Sequence, residues 1–238
     1  MESVRAASTD EVDASARVLA DAFQPDPGTV VFLPDDGERS AILPDFFRTF
    51  VAAALSEDAD IVVAGEPITG VASWFGPERH GPSPDAMSAN GLGAVLERSG
   101  PDATGRLLAM LQQIEATHER LATEPHLRLE FFGVTPALQG TGIGTALIEH
   151  GHRRADELRL ACYLETFTVP NVEYYQRRGY RTVGEFTIGD GVRGYAMLRP
   201  ALPQFESGEP GLSESVDEAL GGFGGPVILL DTTRTRQG

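Results

Sequence analysis

The sequence contains no lysine; all 19 of its basic residues are arginine. A lysine nucleophile, a Schiff base and the lysine of a phosphate-binding P-loop are therefore excluded. Cysteine is nearly absent as well. The single Cys162 cannot form an intramolecular disulfide, and its place in the apolar stretch Leu160 to Leu164 marks a small buried residue rather than a catalytic thiol. No apolar run approaches the ~18 residues that a membrane span requires. The first twenty residues carry Glu2, Arg5, Asp10, Glu11 and Asp13 where a secretory signal needs an apolar run, so a cytoplasmic location with no membrane partner is expected. Positive charge is scarce: 35 acidic against 19 basic residues give a formal charge of −16. That balance disfavours nucleic acid, a polyanion, and suits a small cationic substrate.

What remains is ordinary for a globular chain, with 41% hydrophobic residues over 238 positions. Ser8 and Glu11 read as a capping box before Val12, Ala16, Leu19, Ala20 and Phe23 at helical spacing, a pattern that Pro25 and Pro27 stop. A second helix is read from Leu43, with Phe46, Phe47, Phe50, Val51, Ala54 and Leu55 on its apolar face. Ile61 to Ala64 and Ile68 to Phe75 read as a hairpin. A Gly- and Pro-punctuated region from His80 leads into an amphipathic helix carrying Leu107, Leu111, Ile114, His118 and Leu121.

The second half reads β-α-β-α-β-β: strand Leu127 to Val134, helix Thr145 to Leu158, strand Leu160 to Thr166, a short helix from Pro170 to Gly179, and a hairpin turning at Gly189-Asp190-Gly191. From Pro203 the composition shifts to Gly, Ser, Glu and Asp, a flexible tail in which Pro226 to Leu230 is apolar enough to dock as a strand, on the domain or on a second subunit. His150 and His152, two apart on a predicted helix, point to different faces. His80, His118 and His126 show no ligand spacing, and no metal is expected.

The most informative segment is Gln139-Gly140-Thr141-Gly142-Ile143-Gly144, between an apolar strand and an apolar-periodic helix. Such a turn presents bare backbone N–H groups and the positive end of a helix dipole, which favours a phosphate. A dinucleotide fingerprint would place Glu165 suitably, about 20 positions on, but Thr145 replaces the third glycine and the unit lies past mid-chain. Starting one residue earlier, as Gln139-x-x-Gly142-x-Gly144 after Val134-Thr135-Pro136, the segment resembles the acetyl-CoA pyrophosphate loop of the Gcn5-related N-acetyltransferases. Asn171, Tyr175 and Gly179-Tyr180 add N-x-x-x-Y-x-x-x-G-Y, similar to the short helix and strand start that close that family's cofactor site. The block Leu164-Glu165-Thr166, Pro170-Asn171 and Tyr174-Tyr175 looks like the puromycin N-acetyltransferase branch.

The resemblance covers residues 1–200, with a helical insert over 76–122, and leaves 201–238 as a tail. It implies a mixed α/β acyl-CoA N-acyltransferase fold, with a mostly antiparallel twisted sheet, splayed central strands and flanking helices. The implied activity is acetyl transfer from acetyl-CoA to a primary amine of a small molecule, by direct attack in a ternary complex. An amino-bearing antibiotic or metabolite, and hence a role in antibiotic resistance, would fit the puromycin likeness. A non-catalytic acyl-CoA sensor or assembly subunit and a nicotinamide oxidoreductase are the alternatives, and a homodimer is the candidate assembly. Thr141 stands where such loops often carry a basic residue, so the pyrophosphate would rest on backbone amides, the helix dipole and a folded-back Arg.

By the same resemblance, residues 139 to 145 (Gln139, Gly140, Thr141, Gly142, Ile143, Gly144 and Thr145) hold the cofactor. Asn171 orients its pantetheine arm, or else caps the short helix. A backbone N–H among Phe132, Gly133 and Val134 meets the oxyanion. Tyr175 is the general acid toward the departing thiolate. The base is Glu165 or Glu130, with Glu165 favoured; Glu130 also reads as the partner of Arg128 in a surface ion pair.

Overall fold

The structure, a computed structural model, describes residues 3–203. The strand expected at 226–230 lies outside the described residues. In chain order the elements are strand β1 (Val4–Ala6), helices α1 (Val12–Phe23), α2 (Pro27–Phe32) and α3 (Asp36–Ser56), strands β2 (Asp60–Ala64) and β3 (Gly70–Phe75), helices α4 (Pro84–Ala89) and α5 (Leu92–Leu121), strand β4 (His126–Val134), helix α6 (Ile143–Leu158), strand β5 (Ala161–Thr166), helix α7 (Val169–Gln176), and strands β6 (Arg181–Ile188) and β7 (Val192–Arg199).

The capping box at Ser8 and Glu11 forms as the sequence indicates, and Glu11 is further fixed by Arg5 at 2.6 Å. One helix starts earlier than its apolar pattern predicts, and one forms where none is predicted. α3 begins at Asp36 rather than Leu43, because Asp35 caps it by accepting the Glu38 N–H at 2.8 Å, ahead of the interior Pro44. α2, hidden by Pro25 and Pro27, forms because Pro27 sits in the first turn, where its missing N–H costs nothing, and Asp26 accepts the Gly28 N–H at 2.8 Å. Arg39 pins the α2 segment by donating to Gln24 O and Leu33 O, both at 2.7 Å. The region from His80 becomes α4 and α5, with α5 broken at Gly100 (φ 78°, ψ 168°) ahead of Pro101.

The sheet runs β1-β2-β3-β4-β5-β7-β6, antiparallel at every step except β4 against β5. Period-two alternation sends Ile61, Val63, Val71 and Phe75 to one face, under α1 and α3. Val62, Ala64, Ala72 and Trp74 go to the other, under α6. Both faces are covered, so β3 is buried along its whole length.

α6 lies so close to β3 that Gly151 admits no side chain: a Cβ there would stand 2.1 Å from Cε2 of the fully buried Trp74. Alanine is the better helix former by roughly 1 kcal/mol, but overpacking a filled core costs about 1–3 kcal/mol and sometimes more. Sterics should win, and Gly151→Ala is expected to lower the thermal midpoint by several degrees in a melting experiment. An unchanged or raised midpoint would show that α6 can lift from the sheet.

Two local features make the sheet useful. β4 and β5 pair only over His126–Arg128 against Ala161–Tyr163, and part beyond that point. Between Ser73 and Trp74 the β3–β4 register slips, so Glu130 is the extra residue of a bulge. Ser73 plugs it: its hydroxyl accepts the Phe131 N–H at 2.8 Å and donates to Phe131 O at 3.2 Å.

Candidate active site

A cavity of about 770 Å³ opens where β4 and β5 separate. The N–H groups of Phe131 and Thr135 point toward β3, bonding Ser73 Oγ and Thr69 O, both at 2.8 Å. By strand alternation the N–H groups of Phe132 and Val134 point the other way, into the gap. At its end the gap meets the glycine turn. Gly140 (φ 81°) and Gly142 (φ 100°) adopt left-handed conformations that other residues avoid, and Gly142 caps α6. The first helical bond is Ala146 N–H to Gly142 O at 3.1 Å, which leaves the N–H groups of Ile143, Gly144 and Thr145 without helical acceptors.

Of the expected cofactor residues, Phe132, Gly133, Val134, Gln139, Gly140, Gly142, Gly144, Thr145 and Asn171 line this cavity. The Thr141 side chain turns back to Leu138 O at 2.7 Å, and the Ile143 side chain is buried in the core, so each has only its backbone to offer. Gln139 spends its amide on Val134 O at 3.2 Å. Asn171 is not the cap of α7; Thr168 is, accepting the Asn171 N–H at 3.4 Å, while Asn171 donates to Thr166 Oγ1 at 3.2 Å.

Arg178 stands in the site without a sequence motif to mark it. It donates to Thr145 Oγ1 at 2.6 Å and to Tyr174 O at 2.8 Å, and its guanidinium lies 3.5 Å over the Tyr174 ring. It thus brings a cation to the first turn of α6, in place of the basic residue missing at Thr141. Its position before Gly179 gave no signal, because only folding carries α7 across to α6.

Tyr175 lies in the core with its ring against Tyr174 and Tyr180, and it lines the cavity. Burial pushes its phenol well above the ordinary range, so it stays protonated.

Opposite stands a charge cluster. Arg128, whose side chain is 4% exposed, touches three carboxylates: Glu115 at 3.0 Å, Glu130 at 2.9 Å and Glu165 at 3.3 Å. The Glu130 ion pair expected at the surface is therefore drawn inward. The Glu130 contact is a close approach of charges without hydrogen-bond alignment, since Arg128 Nε and Glu130 Oε2 both lack a hydrogen bond. One guanidinium cannot neutralise three carboxylates. Glu115, bonded to His118 and Arg128, is held down to about 2. Burial pushes Glu165 up to about 7, Arg128 opposing and Glu130 adding to the rise. Burial likewise raises Glu130, which keeps 20% of its side-chain surface against 7% for Glu165. Burial also raises Asp26, on the far wall, to about 6. The remaining wall is apolar and includes Phe46, Phe47, Leu107, Met110 and Ile114.

The other histidines resolve in two ways. His150 meets Asp60 at 3.2 Å and His152 meets Tyr180 at 3.2 Å, on different faces of α6 as expected. His80, His118 and His126, which sequence spacing kept apart, come together behind Arg128. Burial, then the charges of its neighbours, lowers His80 to about 4. Cys162 is fully buried, and burial raises its thiol to about 11.

The sequence model of the acetyltransferase (GNAT) domain matches residues 102–182, which include β4, the glycine turn, α6, β5 and α7. Among solved structures, a protein described as histone acetyltransferase HPA2 and related acetyltransferase, from Corynebacterium glutamicum, is 25% identical with a TM-score of 0.61, over 86% of this chain and 98% of its own. The Drosophila melanogaster polyamine N-acetyltransferase is 16% identical with a TM-score of 0.53, over 83% and 99%. The mosquito arylalkylamine N-acetyltransferase like 5b is 16% identical with a TM-score of 0.52, again over 83% and 99%. The acyl-CoA N-acyltransferase fold is the one these chains share. A dinucleotide-binding sheet would be mostly parallel; here β4 and β5 form the one parallel pair among the described residues. No helix among them is long and apolar enough to cross a membrane.

Proposed function

This chain is a member of the Gcn5-related N-acetyltransferase superfamily, an acyltransferase, and from that premise we propose that it carries the acetyl group of acetyl-CoA to the primary amine of a small molecule with an apolar or aromatic body. The observation that carries the proposal is the parting of β4 from β5, which opens backbone donors and buried carboxylates onto one cavity. Acetyl-CoA fits the residues present. Its diphosphate would take the open N–H groups at the start of α6 with Arg178, and its pantetheine would lie along the Phe132 and Val134 N–H groups and Asn171.

The acceptor arrives as a cation, drawn by the net charge and by Asp26, Glu130 and Glu165. An alkylammonium has a pKa near ~10, but the apolar wall disfavours its charge and brings its proton within reach of a carboxylate that titrates near 7. Glu165 takes that proton, directly or through a water, and the neutral nitrogen attacks the thioester carbonyl. The Phe132 or Val134 N–H steadies the oxygen as it gains charge, a contribution of roughly 3 kcal/mol. As the carbon–sulfur bond breaks, Tyr175 gives its hydroxyl proton to the thiolate, and the nitrogen, now part of the amide, gives up its second proton to the Tyr175 phenolate, directly or through a water, which restores the phenol. An amino-bearing antibiotic or metabolite meets this description.

The test is thiol release from acetyl-CoA by the full chain over a panel of primary amines. Arylalkylamines are expected to react faster than polyamines, whose several charges the apolar wall would strand. Acetyl-CoA binding without amine-dependent thiol release from any member would overturn the proposal. Within the same assay, Arg178→Ala is expected to raise KM for acetyl-CoA about tenfold and leave kcat nearly unchanged, as befits a charge-assisted contact of 1.5–3 kcal/mol at most. A fall confined to kcat would remove Arg178 from the binding role.

A further inference from the structure

Behind the active site, where the end of α5 meets the start of β4, His80, His118 and His126 place one nitrogen each within 4.8 Å of one another. The rings are packed together: His80 stacks on His126 at 4.5 Å between centroids and meets His118 edge-on at 4.5 Å. The decisive feature is the bookkeeping of their protons. His126 Nδ1 lies 2.8 Å from the backbone carbonyl of Glu124, which can only accept, so Nδ1 must carry that ring's proton. His118 Nδ1 lies 3.2 Å from the Glu115 carboxylate, which also only accepts, so Nδ1 carries the proton there too.

In the neutral rings both Nε2 atoms are then bare, yet they face each other at 2.8 Å. Two lone pairs at that distance repel unless a cation lies between or beside them. A third nitrogen, His80 Nε2, is buried with no hydrogen-bond partner, on the segment between β3 and α4. We propose that these three histidines form a binding site for a divalent transition-metal ion of the zinc class, with His80, His118 and His126 each ligating through Nε2.

The donor set fixes the class. Neutral imidazoles suit zinc, cobalt, nickel or copper, whereas magnesium and calcium require oxygens. The outer partners are those such sites use: a carboxylate on one ligand's Nδ1 and a backbone carbonyl on another's, each fixing tautomer and ring orientation. The adjacent Arg128 is unfavourable to a cation, but Glu115, Glu130 and Glu165 surround it and more than offset its charge. Three protein ligands leave a fourth position for water. The ion would tie α5, β4 and the His80 segment together and, through Glu115, brace Arg128 behind Glu130 and Glu165. The site stands apart from the acetyl-transfer proposal and can fail without it.

Full-length, untagged, metal-stripped protein titrated with Co²⁺ gives the test by visible absorption, with Zn²⁺ and thermal unfolding as a second readout. Expected is one saturable equivalent of Co²⁺ with the spectrum of nitrogen ligation, and a higher unfolding midpoint with Zn²⁺. Both should persist in His150→Gln, whose ring lies elsewhere, and affinity should fall more than about 100-fold in His80→Gln, beyond the usual cost of losing an outer partner. His80 is the least buried of the three, so its variant should fold; circular dichroism checks that. No saturable binding by the wild-type protein overturns the proposal and leaves a proton shared between His118 and His126. Binding that survives in His80→Gln at wild-type affinity overturns the site as drawn.

Discussion

Replacing Glu165 with Gln is expected to lower kcat/KM by about 10²–10⁴-fold, the usual contribution of a positioned base. Gln keeps the volume and can still meet Arg128 through its carbonyl oxygen, so the loss reports the missing base rather than a cavity. In the wild-type protein kcat/KM should rise with pH on a limb centred near 7, because Glu165 must shed its proton first and burial holds that proton to about 7. The limb should vanish in Glu165→Gln.

Stability gives an independent reading with the opposite slope. A carboxyl near 7 when folded and near 4.5 when unfolded binds more protons folded than unfolded between those values. Its contribution is intact below about pH 4.5 and is lost as pH rises through 7, up to about 3 kcal/mol. The melting midpoint of Glu165→Gln, relative to wild type, should therefore climb from pH 5 to pH 8. A relative midpoint that falls with pH would mean that Glu165 ionises easily, and the base would then be Glu130, tested by Glu130→Gln in the same way.

Tyr175→Phe should lower kcat by about 10²-fold with KM for acetyl-CoA little changed. That is the low end for a general acid, because a thiol of pKa ~8.5 leaves far more readily than an alkoxide. The Tyr175 hydroxyl makes no side-chain hydrogen bond among the described residues, so Phe removes a proton donor without stranding a buried partner. Burial keeps the phenol protonated, so no alkaline fall in rate below pH ~9 should trace to this residue. A maximal rate equal to wild type across pH would end the general-acid assignment.

The candidate site was more legible in the sequence than its surroundings. The glycine turn and Tyr175 belong to local patterns, in which spacing alone dictates a strand, a capped helix and a short helix after it. α1, β4, α6 and the two hairpins were legible for the same reason. α2 and the first turns of α3 were hidden by prolines that fit helix interiors or first turns when caps such as Asp26 and Asp35 support them. β1, three residues long, is too short to show a period and exists because β2 offers it an edge. The bulge at Glu130 could not be read, since it depends on Ser73 standing opposite.

Charge clusters were the least legible of all. Arg128 and Glu130 read as a surface pair because period-two neighbours share a face whether that face is wet or covered. α5, carrying Glu115 and His118, is what covers it. Arg178 meets Thr145 across 33 residues, and His80 meets His118 and His126 across 38 and 46, between elements whose docking no local pattern encodes.

A crystal structure of the protein soaked with coenzyme A is the most direct measurement of the central claim. The account predicts the diphosphate on the N–H groups of residues 140 to 145 beside Arg178, the pantetheine between β4 and β5, and the sulfur within hydrogen-bond reach of Tyr175. Coenzyme A bound elsewhere, with the β4–β5 gap closed or filled by protein, would contradict it.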